Sequence, residues 1–271
     1  MIHKIQLAGL VLFMATLLSC KKNISEPEFN QGNLASLSVE FDNIVGGQNL
    51  ILNTSNYKNS TGETYNIQLL QYFISNIIVA KADGTSYTVP QDSSYFLINE
   101  ANPDSRFARV NVPEGDYTKI TFTLGVDSLR STMDISKRTG VLDPAGGMES
   151  GMYWSWNMGY IFFKMEGISP QAPLDPTGAH KYRFHIGGFG GYSAPTINNI
   201  KVITIDLSAR GMAQVRKNRN ANIHLFVDID KVLSGVSPVS IATNPQVMFS
   251  EFSVKVANNF TAMFTHDHTE N

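Results

Sequence analysis

Leu37-Ser38-Val39-Glu40-Phe41-Asp42 alternates apolar and polar residues without a break. Side chains on an extended strand point to opposite faces in turn, so Leu37, Val39 and Phe41 line a core while Ser38, Glu40 and Asp42 face water. One dry face and one wet face at a period of two is a demand that recurs along the chain. Val45-Gly46-Gly47 turns the backbone after this first run. Strand patterns follow at residues 65–80, 87–89, 95–98, 107–112 and 117–124, with turns at Asp83-Gly84 and Pro113-Glu114-Gly115-Asp116. They return at residues 152–165, 182–186, 200–207, 223–229 and 247–257. Between these groups, residues 127–151 hold Gly140, Pro144, Gly146 and Gly147, and read as loops with one or two short helical turns. Many short strands separated by turn residues predict an all-β, antiparallel, sandwich-like single domain with loop and short-helix insertions. No fixed-period repeat and no low-complexity tract divides it.

The first residues follow different rules. His3 and Lys4 precede an apolar run at residues 5–18, which leads through Ser19 to Cys20. A run of that length suits the core of an export signal and is too short for a membrane span. Cys20 is the one cysteine of the chain and stands where a lipoprotein signal places the lipidated residue. The expected organisation is a lipoprotein signal peptide over 1–20, a polar tether over 21–33 with Pro27 and Gly32, and a β domain over 34–271. Acyl chains on Cys20 would hold the protein to a membrane of the bacterial cell envelope, facing the periplasm or the cell surface. About 250 of the 271 residues remain after cleavage, enough for one large β domain and without any disulfide. The formal net charge of −2 comes with no basic patch of the kind nucleic acid requires. Arg216 and Lys217 sit in a cluster broken by Gly211 and Asn218, and read as a solvated loop.

Familiar catalytic signatures are missing. There is no His-Glu-x-x-His helix, no Gly-x-Ser-x-Gly elbow and no Gly-Lys-Ser/Thr phosphate loop. Gly187-Gly188-Phe189-Gly190-Gly191 lacks dinucleotide spacing and reads as a flexible turn, and Asp228 and Asp230 read as a solvated strand end. Three features remain. Met152-Tyr153-Trp154-Ser155-Trp156-Asn157 holds both tryptophans, which would share a face of a strand. In the next strand Tyr182, Phe184 and Ile186 share one face and His185 points to the other. Near the C-terminus, an extended His266-Asp267-His268 would put both imidazoles on the same side, a geometry able to chelate copper, zinc, iron or nickel. On residue types alone, core packing explains the tryptophans better, a hydrogen-bonded strand histidine explains His185, and a frayed tail explains His266 and His268.

A resemblance changes that balance. Val39-Glu40-Phe41, Gly46-Gly47, Tyr72-Phe73-Ile74-Ser75-Asn76-Ile77, Gly125-Val126-Asp127-Ser128, Leu142-Asp143-Pro144, Gly151-Met152-Tyr153-Trp154-Ser155-Trp156, residues 160–167 and Phe184-His185-Ile186-Gly187 occur in this order. The ordered set resembles the MbnP-like copper-binding family, periplasmic partners of a dihaem MbnH-like enzyme. It is also similar to copper-repressible surface proteins of methane oxidisers, whose copper site uses histidines and a tryptophan oxidised to kynurenine. The resemblance implies a sandwich-like domain that binds one copper ion outside the cytoplasm. It makes His185 the first ligand candidate, with His266 and His268 as weaker ones. It places a kynurenine at Trp154 or Trp156.

Two functions of different class compete on this reading. One is a lipid-anchored copper-binding protein for acquisition, storage or delivery, without catalysis of its own. The other is a surface β module that recognises a partner protein or glycan through exposed aromatics and has lost the metal site. An enzyme is the least supported reading, because no acid–base pair stands out.

Overall fold

The alternation at residues 37–42 is the middle of a longer strand. In the computed structural model, which describes residues 31–144, 151–154 and 159–271, β1 spans Leu34–Val45 and alternates buried and less buried positions along its length. Gly46 and Gly47, at φ 58° and 83°, close the hairpin to β2 (Gln48–Asn49), a conformation that disfavours residues with a side chain. The chain continues through β3 (Tyr57–Lys58), β4 (Thr64–Tyr65), β5 (Leu69–Ala80), β6 (Ser86–Thr88) and β7 (Tyr95–Asn99). Next come β8 (Phe107–Pro113), β9 (Gly115–Tyr117), β10 (Lys119–Leu124) and a one-turn helix α1 (Ser128–Thr132). β11 (Tyr153–Trp154), β12 (Gly159–Ile168), β13 (Lys181–Gly187), β14 (Lys201–Asp206) and β15 (Ala213–Val215) follow. The last elements are β16 (Ala221–Asp228), α2 (Asp230–Ser234), β17 (Gln246–Val247), α3 (Glu251–Asn259) and β18 (Phe264–Glu270).

Two sheets carry most of these strands. One has the order β18-β16-β1-β2, with β8 also paired to β1. The other runs β14-β10-β5-β12-β13-β17, with β6 and β7 added to β5 and β11 to β12. Their inner faces meet at Phe41 and Phe264 from the first sheet and Phe122 from the second. The Phe122 ring lies edge-on to both, with centroids 5.5 and 5.1 Å away. Two sheets pressed face to face over such a layer make the expected all-β sandwich.

Three details differ from the sequence reading. The sandwich is not wholly antiparallel: β1 and β16 run parallel from Leu37↔Ala221 to Ile44↔Asp228, and β13 and β17 are also parallel. Residues 152–165 are not one strand, because β11 and β12 pair antiparallel, Tyr153 with Tyr160 and Trp154 with Gly159. Residues 247–257, read as a strand, are mostly α3. There Ser253, Val256, Ala257 and Phe260 are buried at i, i+3, i+4 and i+7, so the helical period prevails over the apolar content. The expected signal peptide, Cys20, most of the tether and Trp156 lie outside the described residues. Among the described residues, no helix is long and apolar enough to cross a membrane.

Candidate metal centre

β13 presents the faces its sequence predicts: Tyr182, Phe184 and Ile186 are buried, and His185 lies half-buried on the other side. Across the ladder His185 pairs with Lys164 of β12. Its Nε2–H donates to Glu166 Oε1 at 2.7 Å, and this bond is the main reason that the Glu166 carboxyl sits below the usual carboxylate range. Lys164 Nζ is 3.9 Å from the same oxygen, and burial lowers the Lys164 ammonium pKa. Two residues along the strand, Gly187 has no side chain for a clear reason. A Cβ there would lie 2.5 Å from the Tyr160 carbonyl oxygen and 2.8 Å from Trp154 Cζ3. The missing side chain lets the Trp154 indole pack against the strand that carries His185.

The C-terminal histidines sit on the other sheet. β18 pairs with β16 from Phe264 to Glu270, with one interruption, so the segment is a strand and not a frayed tail. The pairing contains a β-bulge: Leu225 faces His266, His224 faces His268, and Asp267 is the extra residue between them. The bulge overturns the expectation that both imidazoles share a side. His266 turns inward, is 9% exposed, and makes a 2.9 Å Nε2–Oγ1 hydrogen bond with Thr269, and burial lowers its pKa. His268 turns outward and stacks on His224, with ring centroids 4.9 Å apart and planes 29° apart.

A compact polar group results. His268 Nδ1 lies 2.8 Å from Asp267 Oδ2, and His224 Nδ1 lies 3.2 Å from the same oxygen. Their other nitrogens also face carboxylates, His224 Nε2 at 3.6 Å from Asp42 Oδ2 and His268 Nε2 at 3.6 Å from Glu270 Oε1. The bond from His268 holds the Asp267 carboxyl below its ordinary range and raises the His268 pKa in return. Burial raises the Asp42 pKa, against the pull of His224. One ligand atom from each of His224, Asp267 and His268 lies within 4.8 Å of the others.

The structure thus divides the residues singled out in the sequence. Trp154 and His185 meet the same end of β13. His266 and His268 lie on the opposite sheet and on opposite faces of it. Sequence reasoning missed His224 and Glu166 and treated Asp267 as a spacer. His224 did carry a signal, since it interrupts Ala221, Ile223 and Leu225 on the wet side of an alternating strand. Its partners were hidden because they come from β1 and β18, far away in sequence.

Comparison with known proteins bears on the whole domain. A solved structure, MbnP from Methylosinus trichosporium, superposes with a TM-score of 0.52 at 16% identity, covering 76% of this chain and 80% of that one. At that identity the likeness speaks for the fold alone. No curated protein matches. The profile of the MbnP family matches residues 34–249, well over half of the sequence, and the chain therefore belongs to the MbnP family.

Proposed function

We propose that this chain is a lipid-anchored, extracytoplasmic copper-binding protein that serves copper acquisition, storage or delivery and performs no catalysis of its own. The observation that carries the reading is the packing of Trp154 against Gly187, which sets a tryptophan beside the strand of His185. These residues suit copper as a cargo. Glu166 takes the Nε2–H of His185, which fixes the tautomer and leaves the Nδ1 lone pair as the donor, the usual arrangement for a ligating imidazole. The export signal ending at Cys20 supports the anchor. A dihaem MbnH-like enzyme is the proposed partner, acting on Trp154 or Trp156.

One observation favours a second reading. Lys164 stands directly opposite His185 and would repel a cation. That suits a surface module for a partner protein or glycan that has lost its metal. The test is to isolate the protein from its host's membranes and measure copper together with the masses of the peptides holding Trp154 and Trp156. About one copper per chain with a kynurenine mass, and binding weakened by at least about 1–2 kcal/mol in His185→Ala, supports the copper reading. No copper, even after incubation with Cu(I), gives the partner-binding reading the lead.

A further inference from the structure

We infer that His224, Asp267 and His268 form a second cation site, for a borderline divalent ion of the zinc or copper(II) kind, on the sheet opposite the Trp154–His185 corner. The site needs only side chains of this chain and does not depend on copper binding at His185. Asp267 and His268 also lie beyond the segment matched by the family profile, residues 34–249.

The three side chains converge. Two imidazoles aim Nδ1 at one carboxylate oxygen, at 2.8 and 3.2 Å. His224 Nδ1 is buried and makes no well-formed hydrogen bond, a costly state for a buried polar atom. A cation seated between the two rings and Asp267 Oδ2 satisfies that nitrogen and removes the competition for a single oxygen. Further carboxylates stand around the rings. Each Nε2 faces a further carboxylate, Asp42 for His224 and Glu270 for His268, both at 3.6 Å. At that distance they are ion-pair neighbours and not yet hydrogen-bonded, but they stand on the side of each ring from which a carboxylate orients a ligating imidazole.

Charge and size agree. Glu40 pairs with His224 across β1 and β16, so Glu40, Asp42, Asp267 and Glu270 all border the site. Arg106 acts on Asp42, and the cation paired with Asp267 is Arg210. Its side chain is 63% exposed and it sits 3.7 Å from the other Asp267 oxygen, Oδ1, so it can swing clear. Donor atoms on a tetrahedral zinc ion stand about 3.3 Å apart, given bonds of roughly 2.0–2.2 Å. The atoms here lie within 4.8 Å, and the His268 side chain, 48% exposed, is free to close the difference. Two nitrogens, one carboxylate and no sulfur suit zinc or copper(II) better than copper(I), and leave a fourth position for water. The bulge makes the site: in a regular strand Asp267 and His268 would point to opposite faces.

The test uses the mature protein, stripped with a chelator and titrated calorimetrically with Zn2+ alone. The expected result is about one zinc per chain, with affinity reduced roughly tenfold or more in both His268→Ala and Asp267→Asn, and unchanged in His185→Ala. Because His268 is exposed, circular dichroism of His268→Ala should match the wild type. With Cu2+ as the probe, nitrogen splitting in the electron paramagnetic resonance spectrum should fall from two nitrogens to one in that variant. Equal zinc affinity in wild type and His268→Ala, no zinc uptake, or loss only in His185→Ala would each overturn the inference. Loss of copper in His185→Ala beside intact zinc binding separates this site from the copper reading.

Discussion

Glu63 ties the loop that delivers β17 to the rest of the domain, and its removal should show in stability first. Its Oε2 accepts from the Ile241 N–H at 2.7 Å, Asn59 Nδ2 at 2.8 Å and Thr61 Oγ1 at 3.0 Å. Oε1 accepts from the Ala242 N–H at 2.9 Å and Ser240 Oγ at 2.8 Å. Burial pushes this carboxyl up, but the donors together outweigh it and hold the group at about 2 against an ordinary 4.5. A shift of that size makes the ionised group favour folding by roughly 3 kcal/mol at neutral pH. Because the folded value is depressed, the contribution is complete above the unfolded value near 4.5 and fades as pH falls through about 2. Glu63→Gln keeps the shape, yet turns an amide N–H toward groups that also donate. The variant should lose about 2–3 kcal/mol in urea denaturation at pH 7, and the gap to wild type should shrink to roughly half at pH 3. Equal midpoints at pH 7, or a gap that does not change between pH 7 and pH 3, would refute the reasoning. The consequence reaches the candidate copper corner, since β17 pairs with Arg183 and Phe184, the residues just before His185.

Two further outcomes follow from close packing. Gly187→Ala puts a Cβ 2.5 Å from a backbone oxygen and 2.8 Å from the Trp154 ring, so the strand must shift; a cost of about 1–3 kcal/mol and a changed tryptophan emission are expected, and an unaltered emission spectrum would count against the described contact. Tyr72→Phe removes the 2.8 Å bond to Asn43 Oδ1, whose amide also donates to Glu100 at 2.8 Å, and leaves a buried acceptor unpaired; a loss of about 1–2 kcal/mol in a urea melt is expected, and a wild-type midpoint would show that the network contributes nothing net.

Local periodicity carried the fold where one face is wet. β1, β8, β13 and β16 alternate, and the sequence shows it. It failed where tertiary context decides. The stretch from Val247 to Ala257 is apolar enough for a strand, but Ser253, Val256, Ala257 and Phe260 pack at helical spacing. The parallel pairing of β1 with β16 was hidden as well, because nothing in either strand names a neighbour so distant along the chain. The candidate copper corner was legible in part. His185 and Trp154 were named as residues, but Glu166 became a partner only when β12 and β13 were set in register.

The bulge at Asp267 shows why spacing alone could not locate the second site. A period of two holds only while the ladder is regular, and one extra residue sends His266 into the core and brings Asp267 round to His224. The two candidate sites then differ in kind. His185 is bordered by Lys164 and is part of a strand that also carries Arg183, whose guanidinium pairs with Asp175. There Lys164 is offset by Glu166 and Arg183 by Asp175, so the surroundings of His185 carry no excess of negative charge to favour a doubly charged ion. His224 and His268 are bordered by Asp42, Asp267 and Glu270, which favours the higher charge. With the layer of Phe41, Phe122 and Phe264 packed between the sheets, each site meets solvent and its ion from its own side of the sandwich. If both proposals hold, Cu(I) at His185 and a divalent ion at His224 and His268 would occupy different sheets and would not compete for ligands.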